Sequence, residues 1–122
     1  MIFYTRKLIK PEDLNPRGTL FGGQLLKFID EEAAIYAMCQ LETKNVVTKL
    51  ISEINFISPA VQGDVIEIGV EPISYGKTSL TLSVSVRNKD TSKIIVTIDK
   101  MVFVSLNDDG VPTIHGKTKQ KF

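Results

Sequence analysis

Twenty residues from about Gly22 to Leu41 contain no proline, and Leu25, Leu26, Ile29, Ala33, Tyr36, Ala37 and Leu41 recur along them at helical spacing. Phe28, Ile35, Met38 and Cys39 widen the apolar surface beyond one stripe, which predicts a helix covered on most of its sides. At 122 residues and 43% hydrophobic content the chain fits one compact domain. The cover for the helix therefore comes from the other segments of that domain.

Those segments read as strands. Ile2 to Ile9 mixes β-branched and aromatic residues and stops before Lys10-Pro11. Four more extended stretches follow the helix, roughly Val46 to Ile57, Asp64 to Ser74, Thr78 to Asn88 and Ile94 to Leu106, and they read as an antiparallel meander. In the third of these, Leu80, Leu82, Val84 and Val86 alternate with Thr81, Ser83, Ser85 and Arg87, giving one buried and one polar face. One long helix and five strands make an α+β domain over residues 1–106, with a single sheet curled around a central helix. Residues 107–122 form a polar, Lys-rich tail with little to pack, expected to be loose. The turn-rich stretch from Pro11 to Gly23 is a loop of functional length.

Charge and cysteine content exclude several classes of partner. Fifteen basic against fourteen acidic residues leave a net charge of +1, without the excess that neutralising phosphates along a nucleic acid demands. Cys39 is the one cysteine, so neither an intramolecular disulfide nor a multi-cysteine zinc site is available, and with no signal-like segment after Met1 a reducing, cytoplasmic setting is expected. The apolar start is short and broken by Arg6 and Lys7, which is too little to cross a bilayer core of about 30 Å. No metal site is expected.

Chemistry has to come from few groups. The one histidine, His115, falls in the tail, where a catalytic triad is poorly served, and Cys39 among Ala37, Met38 and Leu41 reads as core filler. Gly22-Gly23 opens the helix, where unpaired N–H groups and the positive dipole end could polarise a carbonyl, or where small residues simply permit a tight turn. Asp30 sits in the most apolar helix of the chain. It either joins Lys27, Glu31 and Glu32 in a solvated stripe, with a Lys27–Glu31 pair, or faces a cleft beside Ala33 and Ala34 as base or nucleophile. Asn15 before Pro16 is either a turn former or an amide donor to substrate or water.

The run from Asn15 to Asp30, NPRGTLFGGQLLKFID, followed by Ala33-Ala34, closely resembles the signature of hot-dog acyl-CoA thioesterases of the YciA and brain acyl-CoA hydrolase type. The similarity continues through Val46-Val47-Thr48, Asn55 to Pro59, Gly63-Asp64-Val65 and the turn Gly76-Lys77-Thr78-Ser79. The resemblance implies a hot-dog fold and hydrolysis of acyl-CoA to a free acid and CoA, without a cofactor. It also implies that Asp30 is the catalytic carboxylate, as general base or nucleophile, that Asn15 positions the thioester or water, and that the Gly23 N–H, beside Gly22, polarises the carbonyl.

By the same resemblance Gly76, Lys77, Thr78, Ser79 and Arg17 are candidate CoA contacts. Hot-dog chains pair edge to edge, with Asn15 and Asp30 of one site coming from different subunits, and dimers often assemble as trimers of dimers. Two departures stand out: Glu12-Asp13-Leu14, where relatives often carry small polar residues, and a shorter C-terminal segment, with either His115 or Lys117, Lys119 and Lys121 as candidate replacements for CoA contacts. Two rivals remain at this stage. One is a non-catalytic acyl-CoA or lipid-binding module with the same fold, and the other is a dehydratase or hydratase, which the placement of His115 disfavours.

Overall fold

The computed structural model describes residues 1–120. Lys121, one of the candidate tail lysines, and Phe122 lie outside the described residues. The elements run β1 (Ile2–Leu8), a short 3-10 turn (Pro11–Asp13), α1 (Gly22–Leu41), β2 (Val46–Phe56), β3 (Val65–Tyr75), β4 (Ser79–Asn88) and β5 (Ile94–Ser105). All strand pairings are antiparallel, in the order β1-β3-β4-β5-β2.

The expected meander is therefore correct only for β3-β4-β5. β2 does not pair with β3; it crosses to the far edge and lies against β5, with Val46 opposite Ser105 and Phe56 opposite Val96. This crossing closes the sheet around α1. β4 alternates as expected, with Leu80, Leu82, Val84 and Val86 buried at every second position.

Helix α1 packs Leu25, Ile29, Ala33, Tyr36, Ala37, Gln40 and Leu41 onto the concave face of the sheet. Small Ala33 and Ala37 let its backbone approach the strands closely. The helix stops where Glu42 takes a left-handed conformation and its N–H returns to the Met38 carbonyl.

Cover is less complete than the sequence predicts. Lys27, Glu31, Ile35 and Cys39, spaced four residues apart, form an exposed line along the outer face of the helix. Cys39 is therefore not core filler but an exposed thiol. Its apolar neighbours occupy the other sides of the helix, so local composition did not report its direction.

The tail is likewise not loose over its described length near the sheet. Leu106 and Pro112 form a bridge, the Thr113 N–H donates to the Ser105 carbonyl (2.9 Å), and the His115 N–H donates to the Lys77 carbonyl (3.1 Å). Hydrogen bonding to the β4 entry, rather than apolar content, fixes it.

Candidate active site

The loop before α1 is built around two polar side chains. Asp13 is buried and accepts from the Lys10 N–H and from Gln24 Nε2, both at 2.9 Å, while its own carbonyl takes the Phe21 N–H. It thereby clamps the loop start to the first turn of the helix. The Lys10 N–H bond is the main cause that holds the Asp13 carboxyl below its ordinary pKa, helped by Gln24 and opposed by burial. Sequence reading marks Asp13 only as part of the departure Glu12-Asp13-Leu14 and assigns it no role; the spacing Lys10-x-x-Asp13 across Pro11 was the available signal.

Asn15 organises the tip of that loop. Its Oδ1 accepts the N–H groups of Arg17 (2.9 Å) and Thr19 (3.2 Å), and its Nδ2 donates to Thr19 Oγ1 (2.9 Å). The turn-forming role is thus present in the single chain, and one amide hydrogen is left for another acceptor. Arg17 is exposed at this tip. Bridges Leu14–Leu20 and Thr19–Val61 make the segment an ordered loop.

Phe21 is the N-cap of α1 and supplies no side-chain cap; the first helical bond is Leu25 N–H to the Phe21 carbonyl (3.0 Å). The N–H groups of the first turn, Gly22 to Gln24, accordingly have no acceptor within the helix. A Cβ at Gly22 would lie in ordinary contact with the Phe56 ring at 3.5 Å, whereas at Gly23 it would meet nothing nearer than 4.0 Å. Packing within the chain does not require glycine at position 23. Beside this helix start, Phe56 and Ile57 join Leu20, Leu25, Pro59 and Ile95 around an apolar cavity of about 270 Å³.

Asp30 leaves the solvated stripe. Thr48 Oγ1 on β2 donates to its Oδ1 at 2.7 Å. Thr48 is the site residue that sequence reasoning missed as an individual, although Val46-Val47-Thr48 had been marked. The β2 register shifts between Thr48 and Leu50, and a bulge of this kind re-aims side chains. Glu32 also departs from the stripe, since Thr5 Oγ1 on β1 donates to it at 2.5 Å.

The Gly76–Ser79 turn is fixed by the tail. A Cβ at Gly76 would meet Ser79 Oγ, so a larger residue there displaces the Ser79 hydroxyl. The carbonyls of Lys77, Thr78 and Ser79 accept, respectively, from the His115 N–H (3.1 Å), the Ser105 N–H (2.9 Å) and His115 Nε2 (2.8 Å). The His115 Nδ1 accepts the Lys117 N–H at 2.9 Å, which puts the ring proton on Nε2. Both ring nitrogens of His115 serve the turn. Thr78 and Ser79 share an open groove of about 610 Å³ with Thr48, so the turn and the partner of Asp30 border one space. Among the described residues no hydrogen bond joins Asn15 to Asp30.

A comparison with family models matches residues 17–95 to the thioesterase superfamily. The chain belongs to the thioesterase superfamily. It is 28% identical over 113 residues to the acyl-CoA thioester hydrolase YciA of Salmonella typhimurium, covering 88% of this chain and 84% of that one. The hexameric thioesterase of Yersinia pestis superimposes with a TM-score of 0.85 at 28% identity over 93% of both chains. An acyl-CoA hydrolase from Staphylococcus aureus, in complex with butyryl-CoA, CoA and CoA disulfide, gives a TM-score of 0.80 at 31% identity over 90% of this chain and 66% of that one.

Structures of that staphylococcal hydrolase also exist with an aspartate, a threonine or an asparagine replaced by alanine. The single helix against a five-stranded antiparallel sheet is the hot-dog fold, as the resemblance implied, and this thioesterase is an acyl-CoA thioester hydrolase by family. Among the described residues no helix is long and apolar enough to cross a membrane, and no group of three or more His, Cys, Asp or Glu gathers to hold a metal ion.

Proposed function

We propose that the chain hydrolyses acyl-CoA to a carboxylic acid and CoA without a cofactor, with Asp30 as the reacting carboxylate. The observation that carries this reading is the Asp30–Thr48 hydrogen bond, which ties one carboxylate oxygen to a residue lining the groove that Thr78 and Ser79 also line. The second oxygen is left to activate water or to attack the thioester carbonyl. The uncapped Gly23 N–H polarises that carbonyl, and the spare Asn15 amide hydrogen orients the thioester or the water. Gly22, Arg17, Gly76, Lys77, Thr78 and Ser79 line the approach of CoA.

Gly23 and Asp30 of one helix lie about 10 Å apart along its axis, at 1.5 Å of rise per residue. That separation is too large for both to serve one thioester, so a complete site takes Gly23 and Asn15 from one chain and Asp30 from a second. β2 supplies the surface for such a pairing. It is an 11-residue edge strand with Val47, Leu50 and Phe56 exposed, a combination that calls for a covering partner. Pairing of dimers into a trimer of dimers follows the hexameric assembly of the Yersinia relative.

Release of CoA thiol from short, medium and long acyl-CoAs, compared between wild type and Asp30→Asn, tests the reading. Turnover that falls by about two or more orders of magnitude in a folded, normally assembled variant upholds it. Activity surviving in Asp30→Asn removes Asp30 from the chemistry. Binding of CoA esters without any hydrolysis by wild type makes the chain a non-catalytic acyl-CoA-binding module.

A further inference from the structure

The start of α1 borders an apolar cavity that Asp30, Asn15 and Gly23 do not line. Its floor is Leu20, Leu25, Ala60 and Ile95, all buried, and its rim is Phe56 and Ile57, which are 59% and 57% exposed. Gly22 belongs to the lining, and the Phe56 ring stands over it, since an added Cβ there would touch the ring at 3.5 Å. Large apolar side chains left exposed around a concave surface mark a binding groove. The space of about 270 Å³ thus begins one residue from the N–H of Gly23.

Its walls are fixed and offer a ligand no free polar side chain. The Ile57 and Ser58 N–H groups both donate to the Ile95 carbonyl, at 2.8 and 3.2 Å. Ser58 Oγ donates to the Ile94 carbonyl at 2.6 Å, so the side-chain hydroxyl of the lining is spent, and among the described residues no charged side chain lines the cavity. The occupant is therefore an unsubstituted hydrocarbon, because a hydroxyl or carboxylate inside would lose its water without gaining a partner. The larger groove at Thr48 differs: Lys49 and the hydroxyl-bearing Thr78 and Ser79 line it, which suits the polar CoA.

We infer that this cavity takes the acyl chain of the substrate and that Phe56 and Ile57 set its length limit, which makes unsubstituted short and medium chains the preferred class. At the roughly 30 Å³ that one water molecule occupies in the liquid, the cavity holds about nine non-hydrogen atoms, hence a chain of up to about nine carbons beyond the carbonyl. The inference rests on the hydrolytic reading at one point, that the thioester carbonyl meets the Gly23 N–H. Its acyl carbons then lie at the mouth beside Gly22.

The test measures binding apart from turnover. The full chain in its native assembly is titrated calorimetrically with CoA derivatives that carry a methylene between sulfur and acyl carbonyl, which keep the carbonyl but cannot be hydrolysed to an acid, over chains of four to sixteen carbons. Each methylene tightens binding about fourfold as it is buried, and the gain stops near nine carbons. Phe56→Ala, which removes six ring carbons, moves that break to chains about three to six carbons longer, and Ile57→Ala, which removes three, moves it by about one to three. Phe56 ends the edge strand β2, whereas Ile57 follows it, so the second variant repeats the test clear of the proposed pairing.

Three results overturn the inference: affinity independent of chain length, a gain that continues through sixteen carbons in wild type, or a break that stays in place in both variants. Loss of the native assembly in Ile57→Ala, read by light scattering, also overturns it by assigning the rim to a contact between copies. Failure of the hydrolytic reading looks different. The unreactive derivatives then show the break and its shift while the matching thioesters are bound and not hydrolysed, which upholds the cavity as the acyl site and removes only the chemistry.

Discussion

Asp13 links the stability of this fold to the geometry of its proposed site, and its contribution follows from its surroundings. The carboxylate is 2% exposed and accepts two hydrogen bonds at 2.9 Å, one from the Lys10 backbone and one from Gln24 on α1. Asp13→Ala removes both, and charge-assisted bonds of this kind leave a deficit of about 2–3 kcal/mol. Asp13→Asn is milder. Its amide oxygen serves Lys10, its amide nitrogen serves Gln24 after that side chain turns over, and the loss is confined to the charge, about 1 kcal/mol.

For a chain of this length roughly 4 °C of Tm accompanies each kcal/mol, so falls of about 8–12 °C for alanine and about 4 °C for asparagine are expected. Thermal unfolding followed by circular dichroism at one fixed protein concentration measures both. The concentration is held constant because association shifts Tm by mass action.

The same residue sets a pH dependence. The folded-state pKa of Asp13 lies below its unfolded value, so its stabilisation is fully present above about pH 4 and is lost as the pH falls through the lowered folded pKa. Wild type therefore exceeds Asp13→Asn in Tm near pH 7, and the gap closes on acidification. An asparagine variant equal to wild type at neutral pH, or a gap that persists in acid, refutes the reasoning.

Other perturbations separate chemistry from support. Thr48→Val removes the hydroxyl that holds Asp30 and lowers kcat by about tenfold with little change in KM, whereas Thr48→Ser restores it; steady-state kinetics on acyl-CoA reads this. Gly23→Ala meets open space, so Tm holds or rises by the better helix propensity of alanine, worth up to about 1 kcal/mol, while turnover falls because the methyl group crowds the N–H offered to the carbonyl. His115→Ala deletes both ring bonds of the tail latch, and faster amide hydrogen exchange at Lys117 together with a weaker KM for CoA esters is the expected result.

Periodicity made the architecture legible because burial here follows local pattern. The α1 bounds Gly22–Leu41 and the alternation of β4 agree with the reading residue by residue, since each face of those elements meets one environment. Pairing order was not legible. Nothing local in Val46 to Ile57 says that it crosses to β5, because that choice is made by the closure of the sheet around the helix.

Cys39 and the tail failed for related reasons. The direction of one helical side chain depends on where the strands end, and a polar segment is held here by carbonyls of a turn that precedes it by nearly forty residues. Of the proposed site, Asn15, Gly23 and Asp30 are picked out by a motif, whereas the contacts of Asp13 and Thr48 are not readable from sequence, because they exist only between elements.

Those contacts hold together the parts of the proposed site, which is dispersed over loop, helix start and edge strand. Asp13 fixes the loop to the first turn of α1, so Asn15 and the bare N–H groups of Gly22-Gly23 move as one body. Thr48 fixes Asp30 to the edge strand, so the carboxylate moves with β2. In the proposed two-chain site, a second chain docking its own edge along β2 would bring one half-site against another, with the geometry between them set by backbone register. A substitution at Thr48 is consequently expected to act on turnover before it acts on the fold, whereas one at Asp13 acts on both.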